Sequence, residues 1–204
     1  FSVGLGLGIA GSFTLVWYVC SLTGCPFNSW SCLAGLVLLT LLLYHIRRRT
    51  GFFPEIRTRE YNEETRDKRE RFLLGFAVFL LLFVIAFWVK GFKPIIDYQT
   101  EQYMDFGFMN AMYRQQKVPF EDMWFIGQKI NYYYLGQAMA TFMCRVSLVK
   151  PECGYNLMLC TLFASLNMTV YTVVEAFLSR VRTMKKSCAR TGGTAAALLC
   201  SCGG

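Results

Sequence analysis

Asp97, Glu101 and Asp105 repeat every four residues, so on a helix all three carboxylates share one face. Downstream stands "QKINYYYLGQA", residues 128–138, in which Tyr132, Tyr133 and Tyr134 follow Lys129 and Asn131. Clustered carboxylates suit two kinds of chemistry. One is general-base catalysis, since a carboxylate desolvated beside a like charge holds a proton more firmly. The other is a divalent-cation site built from hard oxygen ligands. A helix starting at Asn131, with Lys129 beside it, would offer free N–H groups to a lipid phosphate. Gly136 would let another helix approach closely.

Each feature also has a plainer reading. Asp105 reads as a helix N-cap, worth about 0.5–2 kcal/mol, and Asn131 as the cap of the next helix. Asp97 and Glu101 read as solvated loop charges. The tyrosines, with Trp124, read as an aromatic belt that anchors a helix at headgroup depth.

The element expected to carry the carboxylates is a helix that starts near Asp105 and ends before Pro119. Met104, Phe108, Met109, Met112 and Tyr113 form its apolar stripe, and Arg114 and Lys117 fall in the last turns, where the helix dipole favours cations.

The surroundings of that helix are a membrane. The 204 residues are 54% hydrophobic and 16% aromatic, with a mean hydropathy of +0.35, above the roughly half apolar content of a soluble domain. Residues 72–89, "FLLGFAVFLLLFVIAFWV", carry no charge or amide, and at about 1.5 Å per residue they cross most of a hydrocarbon core roughly 30 Å thick. Residues 2–22, 30–46 and 155–178 are also apolar runs of spanning length, the second marginal in length and the last carrying Asn156, Asn167 and, near its end, Glu175. The first of these lacks the basic leader and the small-residue cleavage site of a signal peptide. A further apolar run opens at residue 193, so the chain, which begins without methionine and ends inside that run, reads as a fragment.

The net charge of +8 lies mostly beside the spans, which points to membrane orientation and away from a nucleic-acid partner. Residues 47–71 hold Arg47, Arg48, Arg49, Arg57, Arg59, Arg66, Lys68, Arg69 and Arg71, and the positive-inside rule puts them in the cytoplasm. Glu63, Glu64, Asp67 and Glu70 interleave at helical spacing, as in a solvated helix laced with ion pairs, or else the bases form a lipid-facing patch.

Residues 133–149 are apolar but short, and Arg145 would cost at least about 2.5–3.5 kcal/mol at mid-membrane. If they crossed, the basic run at 180–190 would be left outside. They are therefore expected to lie along the outer interface as a juxtamembrane helix, with Arg145 facing water or phosphate. The expected architecture is an all-α, multi-pass transmembrane bundle. Two spans lie in 1–46, a basic cytoplasmic loop in 47–71, a span in 72–89 and a lumenal or extracellular loop in 90–154. A span in 155–178, a basic cytoplasmic loop in 179–192 and the start of another span in 193–204 complete it.

Nine cysteines without a C-x-x-C pair, and a single histidine, His45, offer no metal or redox spacing. Cys144 and Cys153 could pair if their segment is lumenal. The sequon at Asn167 sits in mid-span, out of reach of glycosylation.

The stretch "EQYMDFGFMNAMYRQQKVPFEDMWFIGQKINYYYLGQ", followed by "YNLMLCTLFA", resembles the YYY-type membrane proteins, an uncharacterised family named for its tyrosine triplet and grouped with the GT-C glycosyltransferases. The resemblance covers residues 90–178, within a region taken as 72–192, and the spans before residue 72 add nothing to it. The family pattern has Glu-Lys-Pro-Met-Asp where this chain has Glu101-Gln102-Tyr103-Met104-Asp105. It has proline where Met123 stands and commonly histidine where Gln137 stands. GT-C enzymes lead a span outward into a large lumenal loop whose carboxylate works on a sugar carried by polyprenyl phosphate. The resemblance therefore implies that Asp105 deprotonates an acceptor hydroxyl, with inversion at the sugar, and that Glu101 assists it or helps hold a divalent cation. Lys129, Asn131, Tyr132, Tyr133, Tyr134 and Arg114 would then face the lipid-linked donor. A transporter would instead place ionisable residues inside the spans, and a scaffold would tolerate the loss of Asp105.

Overall fold

The computed structural model describes residues 2–50, 61–96, 100–181 and 186–202. Within them the fold is all-α: α1 Ser2–Thr23, α2 Ser29–Thr50, α3 Tyr61–Gly91, α4 Thr100–Arg114, α5 Leu135–Ser147, α6 Pro151–Leu178 and α7 Lys186–Cys202. Among the described residues four stretches are long and apolar enough to cross a membrane: Val3–Thr23, Ser29–Thr50, Phe72–Gly91 and Pro151–Leu178. The third has a mean hydropathy of 2.9 yet only 6% of it is buried, so its side chains need lipid rather than water around them.

The helices run further than the apolar runs that seed them. α2 continues through Arg47, Arg48 and Arg49 to Thr50, and α3 begins at Tyr61, so much of the expected loop 47–71 is helix continuous with the flanking spans. Arginine, lysine and glutamate are good helix formers, and nothing in these stretches breaks the backbone ladder before Gly51. Residues 51–60, with Arg57 and Arg59, lie outside the described residues, as do the side chains that would make the expected ion pairs. Likewise α7 begins at Lys186, so part of the expected loop 179–192 is the first turns of a helix.

The chain divides into two compact units, both discontinuous. One comprises Phe1–Gly6, Thr58–Lys93 and Leu159–Gly204. There Phe79 packs with Ala164 and Met168, and Phe79, Phe83 and Phe87 stack at successive centroid spacings of 6.4 Å along α3. α7 presses on α6 at Gly193, where a Cβ would come within 3.0 Å of Tyr171.

The other unit comprises Leu7–Arg57 and Pro94–Met158. Its core gathers Phe13, Val16 and Cys20 of α1, Cys32 of α2, Phe108 and Met112 of α4, and Ala138 and Phe142 of α5. The α1–α2 turn joins this core through Phe27, whose N–H donates to Gln116 O at 2.6 Å and whose ring meets Phe120 edge-on at 5.5 Å. At the other end, Asn156 Nδ2 donates to Pro94 O at 3.0 Å, which brings the start of α6 back to where the segment after α3 begins. An even number of crossings must therefore separate residues 94 and 156. α5, thirteen residues and so about 20 Å long, does not cross alone.

The middle of α5 is enclosed by protein. Ala138, Ala140, Thr141, Phe142, Cys144 and Arg145 are all buried, because α4 and the first two helices wall it in. Gly154 allows the first turn of α6 to close on it, since a Cβ there would overlap Cys144 Sγ.

Candidate functional site

α4 starts at Thr100, five residues before the expected start, and this places Asp105 in the second turn with Glu101 one turn earlier on the same face. Asp105 is therefore not a helix cap. Glu101 is exposed and Asp105 half-buried, while Asp97 lies outside the described residues. The apolar stripe is as expected: Phe108, Met109 and Met112 are buried.

Three polar contacts join α4 to α5. Gln137 Nε2 donates to Asp105 Oδ1 at 2.6 Å, Thr141 Oγ1 to Met109 O at 3.3 Å, and Arg145 Nη2 to Tyr113 O at 2.8 Å. Each links positions 32 apart, and the rungs advance four residues at a time along both helices. α4 and α5 thus run parallel, with the returning chain between them forming a hairpin. In that hairpin Asp122 N donates to Gln128 O at 2.9 Å and Ile130 N to Phe120 O at 3.1 Å.

The last rung corrects the expectation that Arg145 faces water or phosphate. Arg145 is 6% exposed, its Nη2 also donates to Gln115 O at 2.8 Å, and its guanidinium lies 5.0 Å from the Tyr113 ring and 5.3 Å from that of Phe27. Its positive charge meets the carbonyls at the end of α4, the negative pole of that helix. Burial pulls its pKa down from the ordinary arginine value, but a guanidinium stays protonated in proteins. Beside it, burial and then Glu152 push the Cys144 thiol up to about 11. Cys144 and Cys153, which could pair in a lumenal segment, are both free.

The first rung is different. Tyr132, Tyr133, Tyr134, Leu135, Gly136 and Gln137 line a cleft of about 490 Å³ at the start of α5. The Tyr132 and Tyr133 rings stack with centroids 4.0 Å apart, and the Tyr132 hydroxyl donates to that of Tyr133 at 2.6 Å. Tyr132 also stacks on Phe108 at 6.0 Å, and Tyr134 meets Phe120 edge-on at 6.1 Å, so buried rings hold the triplet in place. The bond to Tyr133, then burial, then the charges of Tyr133, Glu101 and Asp105 raise the Tyr132 pKa, so this hydroxyl remains a donor at neutral pH. Burial alone raises that of Tyr134. Both carboxylates therefore act on Tyr132.

The residue capping α5 is Tyr134 rather than Asn131, and its side chain makes no cap hydrogen bond. Gly136 was expected to admit a helix; instead a Cβ there would meet nothing within 4 Å. Lys129 sits in the hairpin, bridged to Glu121 by backbone pairing and by an ion pair of 3.3 Å, worth at most about 1 kcal/mol at such exposure. Arg114 ends α4, nine residues and so about 14 Å along the axis from Asp105. The fold thus gathers Asp105, Glu101 and the tyrosines around Gln137 and leaves Lys129 and Arg114 elsewhere. What inspection of the sequence does not reveal is that Gln137 pairs with Asp105 and Arg145 with the end of α4. Their signal is the repeat Gln137, Thr141, Arg145 at four-residue intervals in an otherwise apolar helix.

Among the described residues no three His, Cys, Asp or Glu side chains converge on a point that could hold a metal ion. Glu101 and Asp105 supply two carboxylates on one face of α4.

The family model described as uncharacterized membrane protein (DUF2298) matches residues 12–204. The chain belongs to this family. It is an integral membrane protein, and the match takes in most of α1 and all of α2, which the tyrosine-triplet resemblance leaves out. No curated protein and no solved structure matches the chain.

Proposed function

We propose that this membrane protein transfers a sugar from a polyprenyl-phosphate donor to an acceptor hydroxyl, with Asp105 as the general base. The observation that carries the reading is the Asp105–Gln137 hydrogen bond of 2.6 Å beside the tyrosine-lined cleft. A carboxylate released from capping is there held by one oxygen, which leaves the other for a proton. In the step, the acceptor oxygen bonds to the anomeric carbon and its proton passes to Asp105. The bond from that carbon to the phosphate oxygen breaks, the electron pair departs with the polyprenyl phosphate, and configuration inverts. The stacked faces of Tyr132 and Tyr133 suit the apolar face of a sugar ring, and the uncapped first turn of α5 suits a phosphate. By the positive-inside rule, the arginine-rich end of α2 and the start of α7 are cytoplasmic, and α4, α5 and the cleft are lumenal or extracellular.

A non-catalytic membrane scaffold is the second reading. It is favoured by polar groups that satisfy one another, Lys129 with Glu121 and Tyr132 with Tyr133.

Transfer of radiolabelled sugar from polyprenyl-phosphate donors, measured in membranes, separates the two. Asp105→Asn is expected to lower transfer by about 100-fold or more, the scale of general-base catalysis, at unchanged protein level. Equal transfer by both forms, or none by either across a broad donor panel, would sink the catalytic reading in favour of the scaffold.

A further inference from the structure

Phe120 and Ile130 close the base of the hairpin between α4 and α5, both buried in the core. Its tip is the opposite: Trp124, Phe125 and Ile126 are 59%, 68% and 99% exposed. Three consecutive large apolar side chains at a loop tip are costly in water. The local backbone is built to present them. Asp122 Oδ1 accepts from the N–H groups of Trp124 at 2.8 Å and Phe125 at 3.3 Å, and Gln128 N donates to Phe125 O at 3.1 Å. Gly127, at φ +81°, takes the left-handed conformation that reverses the chain. Pairing polar backbone groups within the turn is what an element needs before it meets hydrocarbon.

The base fixes the height of the tip. Phe120 packs on Phe27, which sits between the end of α1 at Thr23 and the start of α2 at Ser29, so the hairpin is rooted at the rim of two spans. On that rim Leu22 and Trp30 are 83% and 81% exposed, as lipid-facing residues at the end of a span are. Six residues separate Phe120 from Ile126, a reach of at most about 20 Å, which exceeds the thickness of a headgroup layer.

We propose that Trp124, Phe125 and Ile126 form a finger inserted into the leaflet on the side of the α1–α2 turn, its occupant being the lipid of the bilayer that the protein spans. The finger adds a lipid contact to the unit that holds the cleft. It does not depend on the transferase reading.

The test uses the whole chain in phosphatidylcholine nanodiscs, with exposed Cys25, Cys153, Cys188 and Cys200, and Cys202, changed to serine. An environment-sensitive fluorophore is attached at Ile126→Cys, at Phe125→Cys as a second tip position, and at the exposed control Lys117→Cys. Quenching by a nitroxide near the top of the lipid acyl chain is compared with quenching by aqueous iodide. At the tip the nitroxide is expected to quench several-fold more than iodide, with the order reversed at residue 117. Iodide quenching at the tip equal to that at residue 117 would put the finger in water and overturn the proposal. Protection from both quenchers at residues 125 and 126 would show a protein partner covering it and would overturn it equally.

Discussion

The two ends of the α4–α5 ladder use the same spacing for opposite purposes. At the Tyr113–Arg145 end, every favourable contact is internal: a buried guanidinium closes the carbonyl end of α4 between two rings, and α6 presses so tightly that Gly154 has no room for a methyl group. At the Asp105–Gln137 end, a half-buried carboxylate stands beside a cleft, and Gly136 faces open space. The middle rung, Thr141 to Met109, is buried and neutral. The difference teaches that periodic polar residues in an apolar helix do not share one role. Their role follows from what the neighbouring elements leave uncovered.

The contrast breaks most visibly at the closed end. Arg145→Met removes two charge-assisted bonds of 2.8 Å and leaves two part-buried carbonyls without that partner, so a loss of about 2–3 kcal/mol is expected. Thermal or denaturant unfolding in detergent reads it; an unchanged midpoint would mean that Arg145 caps nothing. Gly154→Ala comes next, at about 1–3 kcal/mol for an overpacked contact. Combining it with Cys144→Ala, which removes the obstructing sulfur, should recover much of that loss, whereas simple additivity would show that the close approach is not what matters.

The smallest effect sharpens the open end. Gly136→Ala meets nothing in the fold and is expected to stabilise α5 by about 0.5–1 kcal/mol, since alanine is the better helix former. The added methyl nevertheless enters the cleft, so binding or transfer there should weaken while unfolding shifts upward. Opposite signs in the two measurements would mark Gly136 as kept open for a ligand. A parallel gain or loss would return the cleft to plain surface.

Residue types alone locate the spans, because an apolar run longer than a bilayer core and free of charge has no good alternative to lipid, and arginines at its ends resist burial. They also keep α5 from crossing, through its length and Arg145. The helix ends are harder to read: Asp105 and Asn131 look like caps because a short polar side chain before an apolar stripe usually is one. Good helix formers ahead of the stripe carried α4 back to Thr100, and Tyr134 took the start of α5.

What the sequence by itself determined is that this chain spans a membrane, where its spans lie, and that its carboxylates and tyrosines gather in the segment between the third and fourth spans. Only the tertiary structure decided that Arg145 is buried, that Gln137 holds Asp105, and that Lys129 turns to Glu121. The physical reason is range. Spans follow from transfer of a contiguous run into lipid, a local property, whereas each rung of the ladder joins groups 32 residues apart, and only the parallel packing of two helices brings them within hydrogen-bond distance.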